Sequence, residues 1–209
     1  MPDPVALEKS RGYAHERIRA SARELFMEHG FNDVSTNDIC KHAGVSKTSI
    51  YRYFKDMSGL LEDVVTTELE ARMPEYRPMP ASREELSESI YGIAYDVAEL
   101  LSDPEHLDMD RMVLANSRTH PKIGAIYNRY AFELFQSHLG DLLKHGARHG
   151  FIELRADPYA LADNLLSIWD GLGLMRVRLG LSEKPYEDMH GWFKQGIHVV
   201  LGLEEHPST

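Results

Sequence analysis

Apolar residues recur along this chain at spacings of three and four, and no stretch alternates with period two around an Asn-Gly or Asp-Gly turn. The pattern predicts an all-α protein. A first helix is expected from Arg11 to His29, with Ile18, Ala22, Leu25 and Phe26 on one stripe, Arg17, Arg19 and Arg23 largely off it, and Gly30 just past its end. Residues 1–10, with two prolines, read as a flexible tail. Further helices are expected near 83–102, 104–118, 121–149, 158–180 and 186–203. Ser82-Arg-Glu-Glu85 reads as a capping box, and Asp103-Pro104 and Asp157-Pro158 each place proline just after an N-cap.

In the helix over 158–180, Leu161, Leu165, Ile168, Leu172, Met175 and Leu179 form one stripe, and Leu166, Trp169 and Gly173 a second beside it. The last helix repeats this with Met189, Trp192, Phe193, Gly196, Ile197, Val200 and Leu203. Helices apolar over more than half their circumference must be covered on both sides. These two either fill their own core or, with no helix left to cover them, meet a second copy in an isologous dimer, the reading preferred here. Pro74-Glu-Tyr-Arg-Pro-Met-Pro80 breaks the preceding helix. The expected domains are therefore 11–73 and 83–205, with a Pro-rich linker over 74–82.

Composition narrows the class. The chain has 209 residues, 43% of them apolar, enough for a sizeable core, and its single Cys excludes an internal disulfide or a Cys-rich zinc site. No apolar run approaches the ~18–20 residues of a membrane span, and no apolar stretch precedes a small-residue cleavage site at the N-terminus, so a cytoplasmic location is expected. The net charge of −10 is uneven: residues 1–55 carry +2 and residues 56–209 carry −12. Binding a polyanion needs local positive potential rather than a basic total.

The informative stretch is 35–54. Ser35 or Thr36 caps a two-turn helix with Asp38 in its first turn; Ala43-Gly44 ends it, and Ser46 caps the next. Two short helices joined by a tight Gly-containing turn make a helix-turn-helix, with Ile39, Ala43, Val45, Ile50 and Phe54 as its small core. If Ile50 and Phe54 face inward, Thr48 and Arg52 point away, flanked by Ser49 and Tyr51, while Lys47, Thr48 and Ser49 sit at the helix start. These side-chain types reach base edges and phosphates in the major groove. Cys40 falls on the inner side, as core.

Residues 17–61 resemble the N-terminal DNA-binding domain of the TetR family of bacterial transcriptional regulators. The resemblance rests on Ala22-Arg-Glu-Leu-Phe26, Gly30-Phe31, Ser35, Asp38-Ile39, Ala43-Gly-Val-Ser46, Ile50-Tyr-Arg-Tyr-Phe54 and Leu60. It departs after Phe54, where Met57 stands in place of the usual lysine and Ser58 in place of an acid. The resemblance implies an N-terminal three-helix DNA-binding domain followed by an α-helical ligand-binding and dimerisation domain. It implies a homodimer on a near-palindromic double-stranded operator, probed at base edges by Lys47, Thr48, Ser49 and Arg52 and at phosphates by Ser35, Thr36, Tyr51, Tyr53 and Lys55. It also implies an inducer pocket within 83–180 and dimer pairing through the helices near 158–180 and 186–203. A ligand-responsive repressor is expected, with no cofactor, metal or catalytic group and no membrane partner.

Within the body, aromatic and polar residues on otherwise apolar stripes are candidates for a pocket: Tyr91, Tyr95, Met112, Asn116, Tyr127, Tyr130, Phe135 and Trp169. Such a lining suits a small hydrophobic or aromatic effector. His138, His145 and His149 share one helical face, read as a solvated or pocket-edge stripe rather than a metal site, since no Cys and only Asp141 accompany them. The alternative function is an all-α enzyme or metal-binding bundle with an incidental helix-turn-helix. Against it, the chain holds no phosphate loop, no G-x-S-x-G elbow and no second Glu-x-x-His beside Glu187-Asp-Met-His190.

Overall fold

A computed structural model describes residues 4–73 and 77–203. The described residues form helices joined by turns and loops, without a strand. Ten α-helices follow in order: α1 (Pro4–His29), α2 (Thr36–Ala43), α3 (Lys47–Tyr53), α4 (Met57–Ala71), α5 (Arg83–Leu100), α6 (Pro104–Asn116), α7 (Pro121–Asn128), α8 (Leu134–Arg148), α9 (Pro158–Arg178) and α10 (Met189–Leu201). A π-helical turn, Arg129–Glu133, joins α7 to α8, so the helix expected over 121–149 carries one widened turn. None is long and apolar enough to cross a membrane.

The chain divides into two compact units, 1–71 with 108–127, and 72–107 with 128–209. This division differs from the linker-based one in one segment, 108–127, which groups with the N-terminal helices. Within that unit the Asn32 amide donates to Asn116 Oδ1 at 3.0 Å, Phe31 lies edge-on to His120 at 4.8 Å, and Lys122 pairs with Glu62 at 3.3 Å. A proline cluster marks where a chain can bend, but not which elements pack after it. Residues 74–76 of the expected linker, 204–205 of the expected second domain and 1–3 of the expected tail lie outside the described residues.

Residues 4–10 are helical rather than a tail. Pro4 occupies the first position of α1, where its missing N–H was without an intrahelical partner anyway. In the first unit α1 packs against α2, α3 and α4. Its buried stripe is the expected Ile18, Ala22, Leu25 and Phe26, met by Ile39, Ile50, Phe54, Leu60, Leu61, Val64 and Val65. Apart from Ala22, each such side chain fully removed from water contributes about 1.5–3 kcal/mol.

In the second unit α5, α8, α9 and α10 enclose a single core that includes Leu86, Ile90, Leu139, Leu142, Leu165, Trp169, Phe193 and Ile197. The stripe expected to run unbroken along α9 changes sides at Gly171. Leu161 and Leu165 are buried, whereas Leu172 is 74% and Leu179 65% exposed. Gly171 sits at φ 38°, ψ −173°, a geometry that interrupts the helix and that other residues rarely adopt. In an uninterrupted helix the Ile168 carbonyl would accept from Leu172 and the Gly173 amide would donate to Trp169. Here the Trp192 indole donates to the Ile168 carbonyl at 3.0 Å, and the Tyr186 hydroxyl accepts from the Gly173 amide at 2.9 Å.

Candidate nucleic-acid interface

Local chemistry builds the α2–α3 pair. Ser35 opens α2 with a full capping box: its hydroxyl oxygen accepts from the Asp38 amide at 3.3 Å, and the Asp38 carboxylate accepts from the Ser35 amide at 3.0 Å. The Ser35 hydroxyl also donates to Asp38 at 2.5 Å. That bond, then the one from the Ser35 amide, holds the Asp38 carboxyl below the ordinary aspartate range. Gly44 ends α2 in the left-handed region, φ 62°, ψ 42°, with its amide on the Cys40 carbonyl. A Cβ there would stand 2.9 Å from the Arg17 guanidinium, which donates to the Ala43 carbonyl.

Ser46 then caps α3, accepting from the Ser49 amide at 3.2 Å. Because α3 has only two turns, this cap is a large share of what holds it. Ser46→Ala is expected to lower stability by about 1 kcal/mol, read as a shift of the urea midpoint without change of slope. Ile50 and Phe54 are buried beneath the helix, as the periodicity requires; Val45 is only half-buried and Cys40 lies at the edge of the core rather than within it.

Opposite the buried side, Lys47, Thr48, Tyr51 and Arg52 are exposed together, with Lys55 beyond the helix end. Ser49 is half-buried and its hydroxyl lies 3.1 Å from that of Ser46, the N-cap residue. Thr36 is half-buried and Ser35 exposed at the start of α2. Tyr53 is half-buried, and its hydroxyl accepts from Arg52 Nη2 at 2.8 Å.

The basic excess of the first 55 residues is smaller at this face than the count suggests. Arg19 lies 3.8 Å from Asp63 and Arg23 2.8 Å from Glu68, both acids on α4. Lys47 and Lys55, by contrast, have no ion-pair partner among the described residues. Two contributors escaped the sequence. Asp56 caps α4, accepting from Gly59 at 2.8 Å, a local signal that Asp three residues before Gly59 could have given. His15 stacks on Phe54 at 4.7 Å and meets the Tyr53 ring edge-on at 5.7 Å. That contact has no sequence signature, because it joins residues 38 and 39 positions apart.

The eight pocket candidates divide between the two units. Met112, Asn116 and Tyr127 fall in the first unit, where the Asn116 amide donates to Met112 O at 2.8 Å and the Tyr127 hydroxyl donates to Asp110 at 2.5 Å. Tyr91, Tyr95, Tyr130, Phe135 and Trp169 fall in the second. There Tyr91, Phe135 and Trp169 belong to the packed core, and the Tyr91 hydroxyl donates to Leu203 O at 3.2 Å. Tyr95 lies half-buried against His190 at 4.8 Å, and Tyr130 is half-buried. A side chain on an apolar stripe is buried whether it lines a cavity or fills one, so spacing could not separate the two.

On α8, His145 and His149 stack at 4.1 Å; the His145 Nε2 lies 2.9 Å from the Pro80 carbonyl and the His149 Nδ1 3.0 Å from the His145 carbonyl. Burial lowers the pKa of His138, whose backbone partner is Arg77. An open apolar groove of about 380 Å³ lies between α9 and α10, lined by residues that include Ile168, Gly171, Leu172, Trp192, Gly196 and Val199.

Known proteins align with both parts. Residues 18–64 match the model of bacterial regulatory proteins, tetR family, and residues 88–199, more than half of the chain, match that of the AefR-like transcriptional repressor, C-terminal domain. The chain is 25% identical over 114 residues to the HTH-type transcriptional regulator UidR of Escherichia coli K12, covering 53% of this chain and 55% of that one. It thus spans about half the length of the curated relatives it matches. Among solved structures, the flavonoid-responsive regulator FrrA superposes with a TM-score of 0.74 at 25% identity, over 91% of this chain and 96% of that one. A TetR transcriptional regulator from Agrobacterium tumefaciens superposes with a TM-score of 0.75 at 21% identity, over 90% and 92%, a likeness of fold.

Proposed function

The chain belongs to the TetR family of bacterial regulatory proteins, and from that premise we propose that it is a ligand-responsive transcriptional repressor. It binds a near-palindromic operator as a homodimer, placing one α3 in each of two successive major grooves about 34–36 Å apart, and a small hydrophobic or aromatic effector releases it. The observation that carries this reading is the outward face of α3. A capped, two-turn helix on a buried Ile50 leaves Lys47, Thr48, Tyr51 and Arg52 together in solvent, with Lys47 and Lys55 available to phosphate.

The exposed Leu172, Met175 and Leu179 of α9, with Val199 of α10, support pairing with a second copy, since an apolar row of this kind is covered in a stable assembly. The effector class rests on the aromatic content of the body and on FrrA, a relative in fold that is named a flavonoid-responsive regulator. Such a ligand acts only by binding one arrangement of the two DNA-reading heads better than another.

Selection of bound DNA from a random pool, at about 150 mM salt to suppress non-specific phosphate binding, tests the reading. An enriched inverted repeat is expected. No enrichment from a folded dimer, both as purified and after refolding to strip bound ligand, would overturn it. Lys55→Ala is expected to weaken binding to all sequences alike and to reduce the slope of log affinity against log salt by about one, measured by titration over a salt series.

A further inference from the structure

We propose that Tyr53 is a positioning residue for Arg52, holding its guanidinium in place before DNA arrives, so that discrimination at one base pair depends on a side chain that itself touches no base. The proposal rests on α3 being the helix that reads DNA. By sequence, Tyr53 belongs with the phosphate contacts. In the structure its hydroxyl accepts from Arg52 Nη2 at 2.8 Å, and the Arg52 guanidinium carbon stands 4.8 Å from the centre of its ring.

Successive residues on a helix point about 100° apart and do not meet by default. Arg52 and Tyr53 must therefore lean together, and the tyrosine is the one with an anchor. Its half-buried ring lies edge-on to His15 at 5.7 Å and 81°. His15 in turn stacks on the buried Phe54 at 4.7 Å and reaches Asp63 of α4 at 3.8 Å. The exposed Arg52 thus leans on a post rooted in the core of its own unit.

An arginine has more rotamer freedom to lose on docking than most side chains, and a tether removes part of that loss in advance. The tether leaves the reading chemistry intact. A guanidinium has five N–H groups, and a bond to Tyr53 occupies one, leaving enough donors for the two major-groove acceptors of a guanine. The tyrosine accepts through oxygen and keeps its own proton.

Tyr53→Phe in the full chain removes only the acceptor and keeps the ring. Its binding is compared on three DNAs: the best selected operator, that operator changed at the pair whose preference Arg52→Ala abolishes, and unrelated DNA. Tyr53→Phe is expected to reduce discrimination at that pair roughly three- to tenfold, the net worth of one hydrogen bond, with affinity for unrelated DNA and the melting temperature unchanged. The double variant is expected to discriminate no worse than Arg52→Ala alone. Equal weakening on every sequence, the mark of a phosphate contact, would overturn the proposal, as would unchanged discrimination.

A second measurement needs no DNA. The NMR order parameter of the Arg52 Nε–H group is expected to be high in the parent chain and to fall in Tyr53→Phe. A value already averaged in the parent overturns the proposal, and it decides the matter should the variant fail to fold. Failure to find any operator would count against the DNA-reading function, whereas an untethered Arg52 in a chain that selects DNA would count against this inference alone.

Discussion

Trp169→Ala is expected to destabilise the second unit by about 3–5 kcal/mol, the range for removing a fully buried large aromatic. The indole is 1% exposed and lies parallel to the Phe193 ring, with centroids 4.9 Å apart and planes 8° from parallel. It therefore joins α9 to α10 at the centre of the packed core. Stacking of this kind adds about 0.5–1.5 kcal/mol beyond area burial, and its loss leaves a cavity that neighbouring helices fill only in part. Against a typical stability of about 5–15 kcal/mol, the change moves the urea midpoint by a large fraction. Urea unfolding followed by far-ultraviolet circular dichroism measures it, with Trp169→Phe expected to recover most of the loss. A cost below about 1.5 kcal/mol would mean that Trp169 faces an open pocket and not a filled core, returning it to the effector-binding candidates.

Arg52→Ala is expected to relax base preference at one position of each half-site, at a cost of about 1–3 kcal/mol per lost bidentate contact. In a homodimer both half-sites lose it, so the operator loses up to about twice that, while unrelated DNA loses little. Arg52 is the cation on α3 whose fork geometry matches the two acceptors of a guanine; Lys47 and Lys55 are point charges, better suited to phosphate. Repeating the selection with the variant gives the readout. If it recovers the parent sequence unchanged at every position, the reading face lies elsewhere on α3, with Lys47, Thr48 and Tyr51 as the remaining exposed candidates.

Some of this was legible because the forces involved act over four residues or fewer. Ser35 with Asp38, Ser46 with Ser49, and Asp157 with the amides of Tyr159 and Ala160 form the caps that their spacing announces. At Ser82 half of the expected box forms: its hydroxyl takes the Glu85 amide at 3.2 Å, but the Glu85 carboxylate accepts from Ala81 at 2.7 Å and not from Ser82. Either amide lies within reach of one flexible side chain, and residue types do not choose between them.

The arginines of α1 show the opposite case. Arg19 and Arg23 read as surplus positive charge, yet Asp63 and Glu68, more than forty residues on, take them up. Net charge over a window says nothing about which charges meet once helices pack. The effector candidates divide between the units for a related reason, Met112, Asn116 and Tyr127 in one and the other five in the other, a grouping that apolar-stripe spacing does not carry.

The sequence by itself determined most of the helices, the caps at Ser35, Ser46 and Asp157, the Gly44 turn and the exposed Thr48 and Arg52 of α3, because period, capping and glycine conformation are properties of a few adjacent residues. Only the tertiary structure decided which cations stay without an ion-pair partner among the described residues, that the Tyr53 ring meets His15 while its hydroxyl accepts from Arg52, and that the α9 stripe turns outward at Gly171. Each of these depends on contacts between residues far apart in the chain, or, at Gly171, on whether Tyr186 and Trp192 arrive to satisfy an opened helix turn. Local pattern carries no term for that.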